Sequence, residues 1–70
     1  MKIVQNKDFE KEFPSEVTGI MNDVTIFMNY QFMIQFKPEE KELAWNKAKE
    51  LNGEADQVAK DSNGYEYIGW

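Results

Sequence analysis

Val24-Thr25-Ile26-Phe27-Met28-Asn29-Tyr30-Gln31-Phe32-Met33-Ile34-Gln35-Phe36 is the stretch on which the reading of this fold turns. The even positions, Val24, Ile26, Met28, Tyr30, Phe32, Ile34 and Phe36, are all apolar or aromatic. The odd positions, Thr25, Phe27, Asn29, Gln31, Met33 and Gln35, are mostly polar. Alternation of this kind is the period-2 signature of a half-buried strand. On a helix, at about 100° per residue, the same side chains would scatter around the whole circumference. Two arrangements satisfy the pattern. The preferred one is a single long, bent strand. The other is a hairpin turning at Asn29-Tyr30-Gln31, which would pair Met28 with Phe32, Ile26 with Ile34 and Val24 with Phe36. Both place the same residues on one face, but the hairpin lacks the Gly or Asn that a three-residue loop wants at its left-handed position.

Upstream, Val17 to Met21 meets Val24 across Asn22-Asp23, a pair that fits a tight hairpin turn. Pairing across it keeps Val17 and Met21 on the apolar face already assigned. Downstream, Lys37-Pro38-Glu39-Glu40 predicts a helix start, with Pro38 at the first helical position and acids at the positive end of the helix dipole. Ala44, Ala48, Leu51 and Ala55 then follow as one apolar stripe flanked by Leu43 and Trp45. Gly53 is the expected C-cap, although Val58 stays in phase and would allow the helix to continue to about Lys60. At the ends, Lys2 to Gln5 predicts a short strand and Asp8 to Phe13 a single helical turn ended by Pro14. Ser62-Asn63-Gly64 predicts a turn, and Tyr65 to Trp70 a final strand.

These elements make a small single α+β domain over residues 1–70, an antiparallel sheet with one main helix packed on one face. They fit the order β-(α)-β-β-α-β, a compressed ferredoxin-like arrangement. Ile26, Phe32, Ile34, Ala48 and Leu51 are expected in its core.

Composition bounds the chemistry. The 70 residues carry 13 Asp or Glu against 8 Lys, for a formal charge of −5, with no Cys, His or Arg. That excludes disulfides, thiolate or imidazole nucleophile pairs, Cys- or His-ligated metals and guanidinium clamps. So small a chain also struggles to wall off a dry active site. The expectation is a protein that is not an enzyme and takes no cofactor or metal. Asp61-Ser62-Asn63-Gly64 has the letters of a calcium loop, but not the Gly at its sixth position or the Glu at its twelfth. No P-loop, dinucleotide fingerprint or metal-ligand spacing is present. The start of the chain has no apolar leader region and no run long enough to span a membrane, so a cytoplasmic protein is expected. Lys without Arg, together with six Asn, suits an AT-rich coding source, a low-GC bacterium or a phage, and a phage or mobile-element origin would also suit the small size.

The features left for function are acids and aromatics. Glu39 and Glu42 belong to one acidic cluster, and Glu10, Glu12 and Glu16 to another. Lysines interleave them and dilute any single-sign field. Direct nucleic-acid binding is not expected, because it relies on cations that neutralise phosphates. Phe27 and Met33 would project from the face of the long strand that the helix does not cover, with Trp45 and Trp70 at the rims. Apolar groups so placed mark a protein interface. The leading expectation is a small acidic protein-interaction module, an inhibitor or adaptor that covers a partner's surface through Phe27, Met33, Trp45, Trp70, Glu39 and Glu42. One alternative is an acidic nucleic-acid mimic occupying a basic groove, and another is a non-catalytic accessory subunit. Homodimerisation is expected as well, because a strand of some 43 Å at ~3.3 Å per residue outruns every segment able to pair with it.

Overall fold

The computed structural model describes residues 1–23, of which 20–23 by backbone alone, and residues 30–70. Its elements are β1 (Lys2–Gln5), a 3-10 turn (Asn6–Asp8), α1 (Phe9–Glu12), α2 (Ser15–Asp23), β2 (Phe32–Phe36), a 3-10 turn (Pro38–Glu40), α3 (Lys41–Leu51), β3 (Asp56–Lys60) and β4 (Glu66–Gly69). The strands form one sheet in the order β1-β2-β4-β3, antiparallel at every neighbouring pair. β2 and β3 therefore run parallel to each other with β4 between them, and α3 is the crossover that joins them. The class is α+β as expected, but the order is β-α-α-β-α-β-β and not the ferredoxin-like one. The last two strands form a hairpin, so the second helical layer precedes both of them.

Both faces of the sheet are covered. On one, Ile34, Phe36 and Ile68 pack with Ala44 and Ala48 of α3. On the other, Val4, Met33 and Tyr67 pack with Phe9 and Phe13 of the first helical turn and with Val17 of α2. The alanines of α3 allow the helix backbone to lie close to the sheet. On the opposite side the aromatic rings of Phe9 and Phe13 sit 5.7 Å apart, and Phe13 meets Tyr67 edge-on at 5.2 Å.

Three expectations are corrected here. First, Val17 to Met21 is not a strand but part of α2. Pro14 ends the preceding turn, and its carbonyl accepts from the N–H groups of Val17 and Thr18, which starts the helix. Second, the strand does not run unbroken from Val24 to Phe36. It begins at Phe32, after a bend at Gln31 whose N–H bonds the carbonyl of Trp70 while its carbonyl accepts from Asn6. Ile26, Phe27 and the hairpin turning at Asn29-Tyr30-Gln31 lie on or reach into 24–29, outside the described residues. Third, Met33 is fully buried, because α1 and α2 form the layer that covers its face. β2 is a central strand of five residues flanked by β1 and β4, so the argument for dimerisation from strand length no longer holds. Of the expected core, Ile34 and Ala48 are buried and Phe32 is half-buried, while Leu51 at the end of α3 is 51% exposed.

Asp56–Lys60 is a strand that the sequence reading did not contain, and Ala55 and Val58, read in phase with the helix stripe, lie beyond the end of α3. The signals at the two ends of α3 read as expected. The N–H of Lys37 donates to the Glu40 carboxylate at 3.1 Å, closing the turn that opens with Pro38. α3 stops at Leu51, and Gly53 follows with φ +87°, its N–H bonded to the Ala48 carbonyl. A Cβ at Gly53 would meet nothing within 4 Å, so the requirement for glycine there is conformational alone. Gly53→Ala should therefore lower stability by ~1–2 kcal/mol, the cost of a left-handed L-residue. Urea titration would show this as a lower midpoint with an unchanged slope, and an unshifted midpoint would mean that the turn is not held left-handed. At Gly69 the requirement is spatial. A Cβ there would stand 3.2 Å from Met33 Cγ, the Phe32 carbonyl oxygen and Tyr30 Cγ.

Candidate functional site

The reversal after Gly53 brings the chain back beneath α3 and opens a groove between the C-terminal half of that helix, the start of β3 and the end of β4. The space is about 640 Å³, open to solvent, and both tryptophans of the chain line it. Lys49, Asn52, Glu54 and Asp56 stand around it.

Trp70 is held firmly. Its N–H donates to the Phe32 carbonyl at 3.1 Å, and its carbonyl accepts from Phe32 at 3.1 Å and from Gln31 at 2.7 Å. Its ring stacks on Phe32 with centroids 5.6 Å apart and planes 26° from parallel. Trp45 comes from α3 and packs half-buried beside the Ile34–Ile68 core. Its indole N–H is shut off from solvent and has no hydrogen-bond partner among the described residues. Leaving such a donor unpaired costs about 1–3 kcal/mol, and a Phe ring would fill much of the same space without that cost. At the far end, Asp56 accepts from the Tyr30 hydroxyl at 3.4 Å. Burial, and then the Asp56 charge, push the Tyr30 hydroxyl above its ordinary pKa.

Of the residues singled out in the sequence, the groove unites Trp45 and Trp70. Glu39 and Glu42 are exposed on the first turns of the α3 segment and do not line it. Met33 is in the core, and Phe27 lies outside the described residues. Lys49, Glu54 and Asp56 were not expected. They become neighbours of the tryptophans only through the turn at Gly53 and the placing of β4 between β2 and β3, and no local pattern encodes that.

Several acids have work inside the fold. Glu16 Oε1 accepts from the N–H and hydroxyl of Ser62, at 3.1 and 2.8 Å, tying α2 to the β3–β4 turn. Glu12 pairs with Lys2 at 3.2 Å, and Glu40 with the N-terminal ammonium at 3.1 Å. Asp61 accepts from the N–H groups of Asn63 and Tyr65, both at 2.9 Å, so the Asp61 to Gly64 segment is a turn organised by its own carboxylate.

The groove offers flat aromatic surface and charges of both signs at its rim. Such a surface suits the holding of an apolar or aromatic group. Among the described residues no group of three or more Asp or Glu is placed to hold a metal ion, and no helix is long and apolar enough to cross a membrane. Comparison with protein-family models, with curated proteins and with solved structures finds no match to this chain.

Proposed function

We propose that this chain is a small acidic protein-interaction module, an inhibitor or adaptor that receives an apolar segment of a partner protein in the Trp45–Trp70 groove. The observation that carries the reading is the concentration of both tryptophans at one open groove. Tryptophan is over-represented among the residues that dominate binding energy at protein interfaces. The reading assigns no reaction and no cofactor to the chain and places it in the cytoplasm, with a phage or mobile element as the suggested source. Self-association belongs to it as well. The alternative of nucleic-acid mimicry is less well supported. Glu12, Glu16, Glu40 and Asp61 are engaged within the fold, and Lys41, Lys47 and Lys49 interrupt the acids of α3.

Because both tryptophans line the groove, indole emission reports its occupancy. Peptides selected from a displayed random library should shift that emission on binding. Their affinity should change little with added salt and fall at least about tenfold in Trp45→Ala, the range of an interface hot spot. Peptides that bind without changing the emission, or whose affinity collapses with salt, would place recognition on the acidic surface instead.

A further inference from the structure

We infer that Asn63 is a site of spontaneous deamidation, and that its isoaspartyl product loosens the turn that Asp61 holds against the buried Tyr67. The inference goes beyond the binding reading above and stands on residues that do not line the groove.

Six asparagines occur in the chain, and two of them, Asn52 and Asn63, precede a glycine. Deamidation at such a pair begins when the glycine nitrogen attacks the side-chain carbonyl carbon of the asparagine. Glycine has no side chain to bar that approach. The attack is intramolecular, so its rate depends on how freely the carboxamide can reach the nitrogen. The fold treats the two pairs differently.

Asn52 is tied down. It follows the last residue of α3, its N–H donates to the Ala48 carbonyl at 2.8 Å, and its side-chain amide donates to the Glu54 carbonyl at 3.0 Å. That amide nitrogen is the one that leaves, so its bond has to be given up in the reaction. Asn63 is exposed in the β3–β4 turn. Its backbone N–H donates to Asp61 Oδ1 at 2.9 Å, but its side-chain amide has no hydrogen-bond partner among the described residues. The attacking nitrogens differ less. The Gly53 N–H lies 3.3 Å from the Ala48 carbonyl, and the Gly64 N–H lies 3.5 Å from the Asp61 carbonyl with the Asp61 carboxylate also accepting from it. A Cβ on either glycine would meet nothing within 4 Å, so packing blocks neither approach. What separates the pairs is the freedom of the carboxamide.

The chemistry needs only water. Hydroxide takes the Gly64 N–H proton, the nitrogen bonds to Asn63 Cγ, and the Cγ–Nδ2 bond breaks. The amide nitrogen leaves as ammonia, taking its third proton from water, which regenerates hydroxide. Hydrolysis of the succinimide then breaks one of the two bonds from the Gly64 nitrogen to a carbonyl carbon. Breaking the bond to Cγ leaves aspartate. Breaking the bond to the main-chain carbon leaves isoaspartate, with the main chain rerouted through Cβ and Cγ. Nothing is oxidised or reduced. Either product adds a carboxylate to a chain whose formal charge is already −5.

The rerouting matters here because one oxygen gathers donors from both sides of it. Asp61 Oδ1 accepts from the N–H groups of Asn63 and Tyr65, both at 2.9 Å, and the isoaspartyl link inserts one main-chain carbon between them. The two donors can then no longer close on one atom with the rest of the turn in place. The other oxygen of the same carboxylate accepts from the Tyr67 hydroxyl at 2.7 Å, so a turn that loses its hold on Asp61 also loosens the anchor of a buried ring. The new carboxylate follows Ser62, which already holds Glu16, and so adds to charge of the same sign.

Ageing the folded protein in warm, mildly alkaline buffer tests this. Cleavage after Lys49 and Lys60 puts the two Asn-Gly pairs on different peptides, so isoaspartate at each can be measured by chromatography and fragmentation. Position 63 should convert at least about fivefold faster than position 52, the effect of one hydrogen bond on a rate. Conversion should rise with pH, because the attacking nitrogen must lose its proton. In urea the two rates should converge, since the bond that restrains Asn52 is gone. The urea midpoint of the parent should fall as isoaspartate accumulates at 63, while that of Asn63→Ser, aged in the same way, should hold. Serine keeps the main-chain N–H that Asp61 binds and removes only a carboxamide without a partner, so the fresh variant should start from the parent's midpoint. Position 52 converting as fast as 63 overturns the inference. So does an excess at 63 that persists in urea, which would be an effect of neighbouring residues and not of the fold. Isoaspartate accumulating at 63 with an unmoved midpoint also overturns it, because the turn would then not depend on the spacing of its two donors.

Discussion

Ile34→Ala should lower the free energy of unfolding by ~2–5 kcal/mol, a large share of the ~5–15 kcal/mol that a domain has in total. Ile34 sits at the centre of β2, paired with Ile3 on one side and Ile68 on the other, and none of its surface is exposed. Its side chain fills the space between the sheet and the two alanines of α3. Those alanines are what make the loss severe. Neither Ala44 nor Ala48 has a side chain long enough to lean into the vacated volume, and Phe36 and Ile68 are themselves fully buried. A cavity that cannot collapse keeps its full cost. Urea titration should show the midpoint falling with an unchanged slope. A midpoint equal to the parent's would mean that α3 does not pack on this face.

The placement of Ile34 was legible in the sequence for the same reason that α3 was. Alternation around Ile34, Pro38 at the helix start, the Ala44–Ala48 stripe and Gly53 after it are all local signals, and each acts in the structure as its chemistry predicts. α2 was misread because two periodicities coincide in it. Val17 and Met21 are four apart, which is one face of a strand and also one face of a helix. The spacing that separates the two is Val17 to Ile20, which is three, and three fits only the helix. The agreement in parity with Val24 therefore carried no information.

Met33 holds the other lesson. Phe32-Met33-Ile34 is a continuous apolar run, and such a run marks a strand buried on both faces. With Phe9, Phe13 and Val17 spaced at intervals of four upstream, the layer that buries Met33 was already present in the composition. The candidate site was less legible. Trp45 and Trp70 could be named as surplus aromatics, but they share a groove only because β4 is inserted between β2 and β3. A long-range strand order of that kind leaves no trace in local spacing.

Asp61→Ala is expected to cost about 2–3 kcal/mol although Asp61 stands in a turn, where substitutions are ordinarily mild. Tyr67 explains the difference. It is fully buried, and its hydroxyl donates to Asp61 Oδ2 at 2.7 Å while accepting from Gln35 Nε2 at 2.8 Å. Removing the carboxylate strands that hydroxyl proton inside the core and also frees the N–H groups of Asn63 and Tyr65. Tyr67→Phe should cost less, ~1 kcal/mol, because donor and stranded proton disappear together. In the double variant the two losses should fall short of their sum, since both act on one bond.

The same contacts set the response to pH. Burial would raise the Asp61 carboxyl, but the bonds from the Tyr67 hydroxyl and from the N–H groups of Tyr65, Asn63 and Gly64 outweigh it and hold the carboxyl below its ordinary value. Glu40 is likewise held low, first by the Lys37 N–H and then by the N-terminal ammonium. A depressed carboxyl contributes stability that is complete above its unfolded value, near 4, and is lost as pH falls through the folded one. Tyr67 is shifted upward, by burial first and by its bond to Asp61 second. Its contribution is complete below the unfolded value, near 10, and is lost as pH rises beyond it. Urea midpoints measured across pH should therefore fall at both extremes. Tyr67→Phe should flatten part of the alkaline fall, with Tyr30 sustaining some of the remainder, and Asp61→Asn should flatten part of the acid one, with Glu40 sustaining the rest. Were Tyr67→Phe to leave the alkaline fall as steep as in the parent, Tyr67 would not be the group that titrates there, and the buried bond to Asp61 would not be what holds the β3–β4 turn against the sheet.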